Sequence, residues 1–407
     1  MSTSTADHGS WRRSLAPRAA GVVYAFIALV AILTITSAAQ GRPSYLSSVN
    51  LSNILDQSAL IAILAIFMTV VLISGNFDLS VASTAALAGT VALKTIDSYG
   101  PVVALLAALV TGALVGLINA VLVQKLGVNA FIVTLGTLTA VRGVVQAILD
   151  GQSITATDTT LLDIATARWT LPIAAAIVIG VLLVAGAVLL IRRGSSIMST
   201  AGLWFAGLAL ILLAVFRPLM LTQTAPVWIM LVLAVLAALV LRFTVVGRNL
   251  YAVGGNPEAA RLSGIDVDRY KMVAFVLNGT VAAMVGVLYA GRFNSVDPTV
   301  LTGGELTVIA AAVLGGTSLF GGSGYVAKSV VGTLILFTLS NGFNVLNIGS
   351  NYQNVVQGTV LVAAASLYTA TSKRERSRFR LALRRNKGSG GEPPAASTTE
   401  NKELVRH

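Results

Sequence analysis

The chain has 407 residues, a net charge of +12, a mean hydropathy of +0.83, and 55% hydrophobic against 11% charged residues. Soluble domains carry charge on about a quarter of their residues, so these values exclude one and identify a polytopic membrane protein. With no cysteine there are no disulfides, cysteinyl zinc sites or iron–sulfur clusters, and the two histidines, His8 and His407, leave no histidine base or metal site within the membrane part.

Arg12, Arg13 and Arg18 precede the first apolar run at 19–39. Arg12-Arg13 and Ser37-Ala38-Ala39 imitate a twin-arginine export signal with its cleavage site. The run is too long for a signal core and many spans follow, so it reads as an uncleaved first helix. Further apolar runs lie at 58–75, 80–96, 100–124, 130–149, 171–191, 197–216, 225–243, 271–291, 304–320, 325–345 and 351–370. The expected fold is therefore all-α: a polytopic transmembrane bundle of about 12 spans, some short or broken. It divides into a tail at 1–18, a membrane domain at 19–370 and a second tail at 371–407.

Lysine and arginine placement orients this path. Both termini, Lys125, Arg192-Arg193 and the polar segment 242–271 fall on the cytoplasmic side, while 150–170, with Asp150, Asp158 and Asp163 against Arg168, falls outside. Between residues 373 and 387, eight lysines and arginines face Glu375 alone, directly after the last apolar run. That location reads as an anchor at an anionic leaflet, not as a nucleic-acid surface. From Gly388 onward the composition is that of a disordered tail.

The runs at 80–96, 304–320 and 325–345 are rich in small residues, with Gly315-Gly316 and Gly321-Gly322-Ser323-Gly324 between the last two. Such helices suit burial among other helices, or a broken path lining a cavity. Few charges enter the spans. Asp78 reads as a cap for the helix after it, with Ser80 the other candidate. Glu305 opens a helix, where the dipole favours a carboxylate. Arg142 is either a hydrogen-bonding post or part of a solute path. No mid-membrane relay of carboxylates or histidines is evident.

Asn119, Asn129, Thr134, Thr137, Asn278, Asn341 and Asn344 form an uncharged polar set. Singly each suits an interhelical hydrogen bond; together they favour a neutral polyhydroxylated solute over an ion. The stretch from Gly322 to Ser329 nearly spells a phosphate-cradling loop, but Ala327 replaces its second glycine and the stretch opens an apolar span. Without a nucleotide site, catalytic triad or metal cluster, the chain reads as neither an enzyme nor a holder of cofactors or metals.

Between Gly254 and Lys271 lies a polar island. Asn256 is a helix cap, Pro257 suits the first helical position, Glu258 complements the positive helix end, and Gly264 supplies a left-handed stop. The result is a helix of about two turns outside the bilayer, a docking part for another protein.

Four blocks, spread from about residue 45 to 370, then resemble the permease subunits of ABC sugar importers of the ribose/xylose type. They are Asp78-Leu79-Ser80-Val81 led by Gly75; Phe131-Ile132-Val133-Thr134-Leu135-Gly136; Gly247-Arg248 through Asn256-Pro257-Glu258-Ala259-Ala260-Arg261-Leu262-Ser263-Gly264; and Leu314-Gly315-Gly316-Thr317-Ser318-Leu319-Phe320-Gly321-Gly322. The resemblance implies a permease homodimer, a separate ATPase subunit docked on the helix after Asn256, and an extracytoplasmic sugar-binding protein, all at the cell membrane. ATP then belongs to the partner, and segment 244–270 is the coupling loop, with Asn256, Pro257, Glu258, Ala259, Ala260, Arg261 and Gly264 as its coupling residues. Candidates for the translocation path are Asn119, Asn129, Phe131, Thr134, Arg142 and Glu305. The extra hydrophobic pair at about 171–216 looks most like the xylose branch, so a pentose such as D-xylose is the expected cargo. Ala82, where the family often has glycine, and Asn76-Phe77, in place of a commoner Gly-Ile, leave substrate identity open. The rival reading is an ion-gradient-driven secondary transporter or a channel for small polar solutes.

Overall fold

In lipid every backbone N–H and C=O must be paired within its own segment, so the apolar runs become helices. The structure, a computed structural model, describes residues 17–192 and 201–349 with Tyr352, Val355, Gly358 and Thr359. By internal contacts the chain divides into units 1–358 and 359–407, and the second lies outside the described residues after Thr359. Arg193, nearly all of the expected span at 351–370, and the basic tail also lie outside them.

In chain order come α1 (Pro17–Ala39), α2 (Ser48–Ile73), α3 (Val81–Gln124) and α4 (Ala130–Leu149). A connecting region holds β1 (Ile154–Thr155), α5 (Thr160–Thr166) and β2 (Arg168–Thr170). Next are α6 (Ile173–Arg192), α7 (Ala201–Phe216), β3 (Thr222–Thr224) and α8 (Ala225–Phe243). Two short helices, α9 (Val245–Gly255) and α10 (Pro257–Leu262), lead into α11 (Val267–Phe293). The described path closes with β4 (Ser295–Val296), α12 (Gly304–Leu314) and α13 (Val326–Val345). Among the described residues, eight helices are long and apolar enough to cross a membrane, and the molecule is a multi-pass membrane protein.

Three sequence expectations are corrected. The second span begins its helix at Ser48, not at 58, because Ser47 caps it by accepting from Asn50 N–H at 3.3 Å, and the polar Asn50, Ser52 and Asp56 hide that turn from a hydropathy reading. The runs 80–96 and 100–124 form two helical segments, labelled together as α3, that are separated at Gly100 (φ 79°, ψ 170°) just before Pro101. Ala85 meets Gly286 of α11 while Gly116 meets Gly279, so both halves of α3 lie against about 10 Å of one helix and α3 must fold back at Gly100. The run 304–320 holds a helix only to Leu314; its eleven residues extend about 16 Å, half of a hydrocarbon core. Finally, the fold is not purely α. Two small antiparallel ribbons, Ile154–Thr155 on Ser295–Val296 and Arg168–Thr170 on Thr222–Thr224, pair backbone groups of the connections that no helix takes up.

Packing centres on α11 wedged into the folded α3. Gly279 lies against Gly112 and Gly116, and Gly286 against Ala85 and Gly89, closely enough that a Cβ at either α11 position would enter a neighbouring carbonyl. Small residues permit this approach where lipid gives little hydrophobic drive between helices. Around the seam Leu93, Ala104, Ala108, Val141, Val145, Ala283, Val287 and Ala290 form a buried cluster. The α6–α7 pair packs on itself at Gly180 and Gly207, and the β2–β3 ribbon joins its ends.

Candidate functional site

At one end of the bundle α9 and α10 form a short unit of two successive helices joined at Asn256. Thr244 Oγ1 accepts from Gly247 N–H at 3.2 Å to start α9, and Asn256 Oδ1 accepts from Ala259 N–H at 3.0 Å to start α10, with Pro257 in the first turn beside Glu258. Gly264 (φ +80°) ends it, and Ile265 N–H donates to Ala260 O at 3.0 Å. Ala260 is buried with Val253 and Val267, which fixes the helix to the bundle. Arg261 pairs with Asp268 at 2.7 Å on an exposed surface, where such a pair adds little stability. Leu262, by contrast, is 91% exposed, and Phe320 in the loop after α12 is 94% exposed.

The unit is joined to the rest through backbone. The carbonyl of Ile73, at the end of α2, accepts from Gly322 N–H at 2.9 Å. Gly254 fills the space against that same carbonyl, where a Cβ would collide with Ile73 O, and a Cβ on Gly321 would come within 2.8 Å of Gly75 Cα. Three segments thus meet at a glycine junction: the end of α2, the end of α9 and the loop between α12 and α13. Tyr251 adds a tie by donating its hydroxyl to Gly324 O at 2.8 Å. Burial, and secondarily the nearby Tyr325, raises the Tyr251 phenol, which keeps it a donor at neutral pH. The near phosphate-loop at Gly322 is occupied by this backbone packing.

Deeper in, two helix N-termini meet. Gly304, opening α12, would place a Cβ 3.8 Å from Ala82 Cβ in the first turn of α3 and 3.9 Å from Ile61 in the middle of α2. Each end carries its own carboxylate, Asp78 before α3 and Glu305 in the first turn of α12. One oxygen of Glu305 is buried without a hydrogen-bond partner among the described residues.

Asp78 is 1% exposed and does not cap α3 in the expected manner. Its Oδ1 accepts from Ser80 N–H at 3.0 Å and Ser80 Oγ at 2.6 Å, and its Oδ2 accepts from Asn278 Nδ2 at 2.9 Å. Ser80 occupies the cap position without a side-chain cap bond; its hydroxyl instead accepts from Asn119 Nδ2 at 2.9 Å. Asn119 Oδ1 in turn accepts from Thr137 Oγ1 at 2.7 Å.

The path candidates are therefore dispersed. Asn119 is fully buried within this network, and Thr134 is fully buried and bonds Ala130 O of its own helix at 2.8 Å. Asn129 caps α4 by accepting from Phe131 N–H at 2.9 Å, and Phe131 is exposed. Arg142 donates to Pro298 O at 2.9 Å and Val300 O at 2.8 Å, pinning the segment that leads into α12, with Glu305 and Asp297 in electrostatic range. Arg142 and Glu305 are brought to one place; Asn129 and Phe131 lie on another part of α4. The sequence reading missed the Asp78 hub and the glycine junction. The available signal was Asp78-x-Ser80 directly before a small-residue helix.

Residues 50–365 match the family described as branched-chain amino acid transport system / permease component. The ribose import permease protein of Escherichia coli (strain K12) is 35% identical over 339 residues, 83% of this chain and 90% of that one. Its Haemophilus influenzae counterpart is 33% identical over 351 residues, covering 86% and 94%. The xylose transport system permease protein of Escherichia coli (strain K12) is 34% identical over 367 residues, covering 87% and 92%. No solved structure matches the chain. These relatives are transport permeases and not enzymes. The chain belongs to this permease family and is a permease of the ABC sugar-importer type.

Proposed function

We propose that the chain is the membrane-spanning subunit of an ATP-driven importer that moves a neutral monosaccharide, a pentose such as D-xylose, by alternating access. In this reading a separate ATPase docks on α10 from the cytoplasm, an extracytoplasmic binding protein delivers the sugar, and two copies of the chain form the path in the inner membrane. About twelve crossings, counting the folded α3, the half-length α12 and a last span at 351–370, return both termini to the cytoplasm. The observation that carries the reading is α10 itself. It is a two-ended, capped helix braced by Ala260, with Leu262 exposed. An exposed apolar side chain on a braced surface helix suits a partner protein.

The path is assigned to the outward face of α4, where Phe131, Leu135, Thr139 and Gln146 are exposed, and to Arg142 and Glu305 beside it. The relatives bear the names of ribose and xylose permeases, which supports a pentose. Replacing both Glu258 and Arg261 by alanine is expected to uncouple sugar uptake from ATP without unfolding the bundle. Unchanged ATP-dependent uptake in that double variant contradicts the assignment of α10.

A further inference from the structure

We infer that Asp78 is the positioning residue that carries displacement of the docking helix to α4, an inference that rests on the reading of α10 as an ATPase-docking helix. The physical route is contiguous. α10 begins directly after Gly255, and Gly254 lies against the carbonyl of Ile73. The chain from Ile73 reaches Asp78 through the short connection between α2 and α3, so movement of α9 and α10 pushes on that connection first. From Asp78 two branches leave: one to Asn278 on α11 at 2.9 Å, the other through Ser80 and Asn119 to Thr137 on α4.

All the side-chain donors in this network point the same way. Thr137 donates to Asn119, Asn119 to Ser80 and Ser80 to Asp78, while Asn278 donates to Asp78 from the other side. A chain of donors that ends on one carboxyl group makes Asp78 the common acceptor of both branches, and hydrogen bonds linked in series polarise one another. Simple packing of α3 on α11 needs no such group, because the glycine seam already supplies the close contact. The network is also not saturated. Asn278 Oδ1 and, one turn along α3, Thr84 Oγ1 are buried without a hydrogen-bond partner among the described residues. Unpaired polar atoms in a buried network fit a second arrangement in which they are paired.

The test uses the whole importer, the chain with its ATPase and binding protein, in proteoliposomes, and records sugar uptake and ATP hydrolysis together at equal amounts of assembled complex. Asp78→Asn exchanges an acceptor oxygen for a donor amide while keeping the size; it is expected to raise ATP hydrolysed per sugar by about tenfold. Thr137→Val removes the far donor isosterically and is expected to raise the same ratio by about threefold, with the double variant no worse than Asp78→Asn alone. An unchanged ratio in both single variants, uptake and hydrolysis falling together, makes the network structural and overturns the inference, as do effects that multiply in the double variant. If the unaltered importer takes up sugar without its ATPase, the docking reading itself has failed and the inference falls with it; that outcome is recognised before any variant is measured.

Discussion

Single residues divide here by what their nearest atoms allow. Gly254 has no room for a Cβ, because it would enter the Ile73 carbonyl, whereas Gly186 on α6 has nothing within 4 Å of that position. Gly254→Val is therefore expected to lower the thermal midpoint of the detergent-solubilised protein and abolish uptake. Gly186→Ala is expected to be neutral or to stabilise by up to about 1 kcal/mol through helix propensity. Equal midpoints for the two variants would contradict the junction. Arg142 holds two carbonyls of the segment leading into α12, and charge-assisted hydrogen bonds of this kind contribute about 1.5–3 kcal/mol each. Arg142→Met should therefore cut uptake by at least about tenfold at wild-type membrane abundance, and an unchanged rate would mean that the α12 entrance needs no such post.

At the scale of elements, the α9–α10 unit was the most legible part of the chain. Asn256, Pro257, Glu258 and Gly264 each carry a local rule, and caps and turns depend on neighbours in sequence, so α10 forms with the cap and stop those residues imply. Asn256→Ala is expected to cost about 1 kcal/mol of local helix stability, seen as faster hydrogen exchange confined to 257–263. Leu262→Glu should leave the fold and its exchange pattern intact while the ATPase subunit no longer co-purifies with the chain; undiminished co-purification would contradict the docking face. What sequence left hidden at this scale was long-range. Hydropathy marks where α12 starts but not that it stops at Leu314, since Gly315 is dictated by packing against Lys328 and Ser329 of α13. Likewise the meeting of Asp78 with Asn278, two hundred residues apart, has no local signature.

For the whole molecule, composition alone was enough for a helical membrane bundle, and the described helices follow the apolar runs closely at 130–149 and 225–243. The candidate path was less legible, because a polar residue in a span looks the same whether it faces solute or another helix. Asn119 and Thr134 prove to be buried, while Arg142 and Glu305 share one place beside a half-length helix. The central claim is that this chain imports a sugar only with an ATPase on α10. It is tested most directly by uptake of labelled xylose and ribose into cells expressing the chain and its binding protein, with and without the ATPase subunit, comparing vanadate with a protonophore while ATP is held constant. The account predicts uptake that needs the ATPase, is blocked by vanadate and survives the protonophore. Uptake that persists without the ATPase and collapses with the protonophore would contradict it and make the chain a secondary carrier.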